Sequence, residues 1–214
     1  FIPFGWRDLA CVVVAVLPFL VLQEQLPLLW CFTTPVAVIV MVFASGLGRE
    51  HFCFSFVPRS WRETGFILLL MTAGVLLFLA VTILSGSIRY TGTLWNIMWH
   101  QLFDIFFTNL FIVGVSEEII FRSAILTFFM VQLQKLPQFG SNISKSKLLT
   151  VGSVSLLFGV VHFPHGLLFS FLAFWASLLY GLAFVAGKSL FGPVLLHGLL
   201  NVLVLMNFHL SDFK

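Results

Sequence analysis

With 214 residues, of which 60% are hydrophobic and 9% charged, and a mean hydropathy of +1.08, the chain falls outside the composition of soluble globular proteins. The net charge of +3 is spread thinly over short polar segments, which in a hydrophobic chain reports membrane orientation and leaves no basic footprint for nucleic acid. Cys11, Cys31 and Cys53 form no C-x-x-C or Cys/His cluster, so neither a disulfide framework nor a zinc-thiolate site is indicated.

Repeated apolar windows imply an all-α polytopic transmembrane bundle of about seven spans, forming a single integral membrane domain over residues 1–214. The first span is expected at 9–22, interrupted by Pro18 and serving as its own insertion signal. The second is expected at 28–44. Residues 45–65 read as a loop, with Pro58 and Trp61 near the interface, and the third span follows at 66–84. Trp95 and Trp99 have the character of belt residues before the apolar segment 102–133. At about 1.5 Å per residue this segment exceeds the roughly 30 Å of hydrocarbon, so it must tilt, protrude or break. Residues 134–147 read as a loop, and further spans are expected from 148–161, 167–186 and 190–208.

Ser116-Glu117-Glu118-Ile119-Ile120-Phe121-Arg122 places three ionisable groups within the fourth of these spans. A charge at bilayer depth costs at least about 2.5–3.5 kcal/mol on insertion scales, so compensation is required. Glu118 and Arg122, four residues apart, share a helix face and can pair. Glu117 is turned about 100° away and has no partner nearby in sequence, which marks it as the working carboxylate. Two more spans carry polar groups: Phe158 and His162 stand four apart, as do His197 and Asn201. His162 can also be read as an interfacial residue before Pro164, and His197 with Asn201 as an interhelical hydrogen-bond clamp. Convergence on one polar cavity explains all three spans together. Such a set could bind a divalent metal, activate water by general-base catalysis, or carry a proton or cation in a transporter. Ser116, outside any Gly-x-Ser-x-Gly motif, reads as a small packing residue. His165 reads as interfacial, Asp104 as a headgroup neighbour and Asn109 as a helix contact.

Glu-Glu-x-x-x-Arg at 117–122, Phe-x-x-x-His at 158–162 and His-x-x-x-Asn at 197–201, in this order on successive membrane segments, resemble the CPBP family of type II CAAX prenyl endopeptidases, bacteriocin-processing (Abi) proteins and related intramembrane proteases. The stretch 187–193 is similar to the family's lead-in to its last motif. The resemblance implies a catalytic core over 99–208, behind N-terminal spans in 1–98, and a glutamic-type endopeptidase that needs no metal and no cofactor. Glu117 would be the general base, His162 would hold the attacking water, and His197 with Asn201 would supply the oxyanion site. Glu118 and Arg122 would be the structural ion pair. The substrate would be a membrane-associated protein or peptide, cleaved at a leader, a C-terminal sorting tag or a CAAX-like tail. The compact chain favours a bacterial cell-membrane setting. A non-enzymatic immunity or scaffold protein is the competing class.

Under seven crossings, Arg7, Arg49, Arg59, Arg62, Lys135, Lys145, Lys147 and Lys188 collect on one side and only Arg89 and Lys214 on the other, which makes the N-terminus cytoplasmic. Cysteine-accessibility labelling is therefore expected to find the N-terminus and the 134–147 segment on the same face. Labelling from opposite faces would require a different number of crossings.

Overall fold

The computed structural model describes residues 36, 55–57, 60–84, 107–140 and 142–207, without the side chains of 82, 140 and 203–207. Among the described residues every regular element is helical. The expected span at 9–22, that at 28–44 apart from Val36, the three cysteines, the tryptophans Trp95 and Trp99, and Asp104 lie outside them.

Helix α1 (Trp61–Leu84) starts five residues before the expected boundary, so 61–65 is helix and not loop. The reason is local: the Ser60 hydroxyl accepts a hydrogen bond from the Glu63 backbone N–H at 3.2 Å, satisfying one of the helix's free donors. Ser-x-x-Glu is the sequence form of that cap. One face of α1 buries Ile67, Leu70 and Phe78. Leu68, Leu69 and Leu76 on other faces remain 55–63% exposed, as suits a surface turned to lipid.

The Glu-bearing segment is one helix of mixed winding. A π-helical stretch, Thr108–Gly114, leads into α2 (Val115–Glu118), a second π-helical stretch, Ile119–Leu126, and α3 (Thr127–Gln134). Its bonds reach one residue further than α-helical ones, so each turn takes up more residues. Part of the expected excess length is absorbed in this way, without a break over the described part.

A short turn, α4 (Pro137–Gly140), lies inside the expected loop, and α5 (Ile143–Val161) also begins five residues early. Asn142 caps it, its side-chain oxygen accepting from the Lys145 N–H at 3.0 Å. The chain then turns through a 3₁₀ segment, Phe163–His165, and Gly166 at φ 103°, a region that favours glycine. Helix α6 (Leu167–Gly187) ends at left-handed Lys188, and α7 (Phe191–Asn207) carries Pro193 in its first turn. Helices α5 and α6 meet through small residues: the Ser170 hydroxyl donates to the Gly159 carbonyl at 2.6 Å, and Gly181 lies against Val151.

Trp61–Val81, Ile143–Val161 and Leu167–Gly187 are long and apolar enough to cross a membrane, and Phe191–Val202 is a shorter apolar helix. The fold is thus that of an integral membrane protein. The described residues supply three such long helices, fewer than the seven crossings expected for the whole chain.

Gly187 fits beneath the buried Glu63 side chain, where an added Cβ would fall well inside contact distance of the carboxylate, whereas Gly152 has open space around it. Gly187→Ala is expected to cost about 1–3 kcal/mol, as overpacking does. Gly152→Ala is expected to be neutral or to stabilise by up to about 1 kcal/mol. Thermal unfolding in detergent reads the difference.

Candidate active site

The ionisable groups sit at the centre of the bundle, with Glu117 2% exposed and both Glu118 and Arg122 fully buried. Arg122 Nε lies 2.9 Å from Glu118 Oε2, an ion-pair contact whose N–H is not aligned as a hydrogen bond. The other end of the guanidinium donates to Ser177 on α6, at 2.8 Å to Oγ and 3.3 Å to the carbonyl oxygen. Its carbon also lies over the rings of Phe158 and Tyr180, at 5.0 and 5.2 Å from their centroids. The aromatic faces thus supply attraction to the buried cation in addition to its carboxylate partner.

The second oxygen of Glu118, Oε1, is 2.7 Å from Nδ1 of His197 on α7. A carboxylate held by arginine is an acceptor, so Nδ1 carries the proton and Nε2 presents a lone pair when the ring is neutral. His162, at the C-terminal end of α5, places Nδ1 2.8 Å from the Phe158 carbonyl oxygen. A carbonyl can only accept, so Nδ1 is again the donor and Nε2 carries the lone pair when the ring is neutral. Both Nε2 atoms face Glu117 Oε2, at 3.6 Å from His197 and 4.0 Å from His162. That oxygen is buried and accepts no hydrogen bond from the protein. Two imidazole nitrogens and a carboxylate oxygen thus come together, an arrangement that suits a water molecule giving up a proton. Among the described residues no three His, Cys, Asp or Glu side chains form a group that could hold a metal ion.

The orientations of both imidazoles are held by ring packing as well. Tyr180 stacks on His197 at 5.0 Å between centroids and 13° between planes, and Phe158 lies against His162 at 4.4 Å. Ser177 and Tyr180 were not singled out from the sequence, although two polar groups three residues apart on an apolar helix were a readable sign.

Glu117, His162, His197 and Asn201 line a single cavity of about 210 Å³. Glu118 and Arg122 are not among its lining residues, whereas Asn109 and His165 are. Asn109, read from the sequence as a helix contact, and His165, read as interfacial, thus also reach the cavity. The π-helical winding explains Asn109. Residues four apart on an α-helix are offset by about 40°, and wider turns reduce that drift. Asn109, Val113 and Glu117 therefore reach the same cavity. Ser116 is buried but does not line it.

Removing one member of a buried pair strands the other at a cost of about 3–5 kcal/mol, whereas removing both avoids that cost. Glu118→Gln and Arg122→Ala are each expected to lower the yield of monodisperse protein in detergent, and Glu118→Ala combined with Arg122→Ala to recover part of it. Equal yields for the single and double variants would show that the two charges are not coupled.

Residues 99–203 match the family model for type II CAAX prenyl endopeptidase Rce1-like proteins, a segment that contains Glu117, Glu118, Arg122, His162, His197 and Asn201. No curated protein and no solved structure matches the chain. The family implies a protease, and the apolar helices place it in a membrane. Over residues 99–203 the chain is thus similar to the Rce1-like type II CAAX prenyl endopeptidases, in agreement with the resemblance of its motifs to the CPBP family.

Proposed function

We propose that the protein is a glutamic-type intramembrane endopeptidase whose general base is Glu117. The observation that carries this reading is the buried, unpartnered Oε2 of Glu117 facing the Nε2 atoms of His162 and His197 at the polar end of a cavity. A water held there donates one proton to Glu117 and the other to a histidine Nε2, which leaves its oxygen lone pairs for attack on a scissile carbonyl carbon. As the C–O bond forms, Glu117 takes the first proton, and the amide of Asn201 donates to the developing oxyanion. His197 joins the oxyanion site when its ring carries both protons, with Nδ1 directed to the Glu118 carboxylate. The proton on Glu117 then passes to the leaving amine nitrogen as the C–N bond breaks, and the base is restored.

The substrate in this reading is a membrane-associated protein or peptide cut at a leader, a C-terminal sorting tag or a CAAX-like tail. The setting is a bacterial cell membrane, with the N-terminus cytoplasmic by the distribution of lysine and arginine. The competing metalloprotease reading would need Glu117, His162 and His197 to hold a divalent cation, a grouping that the described residues do not form in this geometry.

In purified protein, Glu117→Gln is expected to fold and bind substrate while cleavage of a membrane-tethered peptide falls to background. His162→Ala and His197→Ala should each reduce turnover severely. Asn201→Ala, which removes one donor among several, should keep the most activity, with a loss of roughly 10²- to 10³-fold in kcat. Chelators should leave the rate unchanged. Loss of activity on chelation, its return with zinc, and one bound metal per chain that requires Glu117, His162 and His197 would establish the metal reading instead.

A further inference from the structure

The cavity has two unlike ends. The polar end comes from elements within 99–203, the segment that matches the protease family. Gly74, Leu77 and Phe78 of α1, which lies outside that segment, complete the cavity's apolar lining, with Phe78 packed against Leu172 and Gly74 beside Leu179 of α6. Part of the cavity's shape is therefore set by a helix that carries none of the ionisable groups lining it.

Size narrows the occupant of the apolar end. Cavities of about 150 Å³ accept benzene, whereas drug-sized ligands need roughly 300–1,000 Å³. At about 210 Å³ this cavity suits one large aliphatic or aromatic side chain beside a peptide unit. Gly74 is the tightest point of the α1 wall: an added Cβ would come 2.9 Å from Leu179 Cδ1 and 3.6 Å from Leu200 Cδ1. An added methyl would therefore press on Leu179 and Leu200, both of which line the cavity. The neighbouring atoms are ends of leucine side chains, which can move aside for a single methyl group, so the position can change cavity size without breaking the helix contact.

We propose that Gly74, with Leu77 and Phe78, forms a size-selective pocket for a large apolar side chain of the peptide substrate, so that α1 sets the specificity of chemistry supplied by 99–203. The proposal rests on the protease reading for the word substrate, but the pocket itself can be tested by binding. The full chain, reconstituted in lipid vesicles, is irradiated with an N-acetyl-Gly-X-Gly amide in which X is a diazirine analogue of leucine. Labelling is mapped by mass spectrometry, with leucyl and alanyl peptides as competitors. Adducts are expected on α1 between 74 and 78 and on Leu172 or Leu179. The leucyl peptide should compete at roughly tenfold or more below the alanyl one, the range that a few methylenes command in an apolar pocket. Gly74→Ala should reduce labelling and level that preference, and Leu77→Ala, which enlarges the same wall, should move it toward a phenylalanyl competitor. Adducts confined to other helices, equal competition by alanyl and leucyl peptides, or an unchanged preference in both variants would overturn the proposal. The same labelling on Glu117→Gln separates the two ideas: loss of cleavage with retained labelling supports both, while retained cleavage refutes Glu117 as the base and leaves the pocket standing.

Discussion

The pairing of Glu118 with Arg122 is a charge pair cut off from water, and a pair of that kind has to be satisfied by the protein around it. Each remaining valence recruits another helix: Ser177 from α6 takes guanidinium hydrogen bonds, Phe158 from α5 and Tyr180 from α6 cover its face, and His197 from α7 binds the second carboxylate oxygen. Satisfying one pair thus pins three helices against the Glu-bearing segment. The pair does not touch the cavity, yet it sets which nitrogen of His197 faces it.

The neighbouring carboxylate has the opposite condition. Glu117 is nearly as deeply placed as Glu118, but among the described residues its Oε2 accepts no hydrogen bond and lies 3.6 and 4.0 Å from Nε2 of His197 and His162. Such an oxygen is costly unless something with protons or positive charge occupies the site. Two adjacent glutamates therefore differ in kind: one is engaged by Arg122 and His197, and the other lines the cavity. The π-helical stretches on either side of the pair matter here, because their slower drift keeps successive fourth residues on one face. Asn109 joins the cavity by that route.

Much was legible in the residues themselves. Hydropathy alone dictates helices in a membrane, since unsatisfied backbone groups in hydrocarbon leave few alternatives. The i, i+4 spacing of Glu118 and Arg122 is enough to bring them together on one helix. The helix starts of α1 and α5 were misplaced by five residues because apolar runs were used as boundaries. Polar caps at Ser60 and Asn142 extend both helices beyond the apolar stretch.

What the sequence determined by itself is whatever depends on short-range geometry: the helical class, the Glu118 and Arg122 pair, and the isolation of Glu117 from any local cation. What only the tertiary structure decided depends on contacts between residues far apart in the chain. His197 turning Nδ1 to Glu118 across 79 positions is one such case, and Tyr180 stacking upon His197 is another. The α1 wall is a third, since nothing local connects Gly74 to Leu179 and Leu200. Periodicity states which face of a helix is apolar or polar. It does not state which other helix that face meets, because many packings bury the same area and only the assembled bundle selects one.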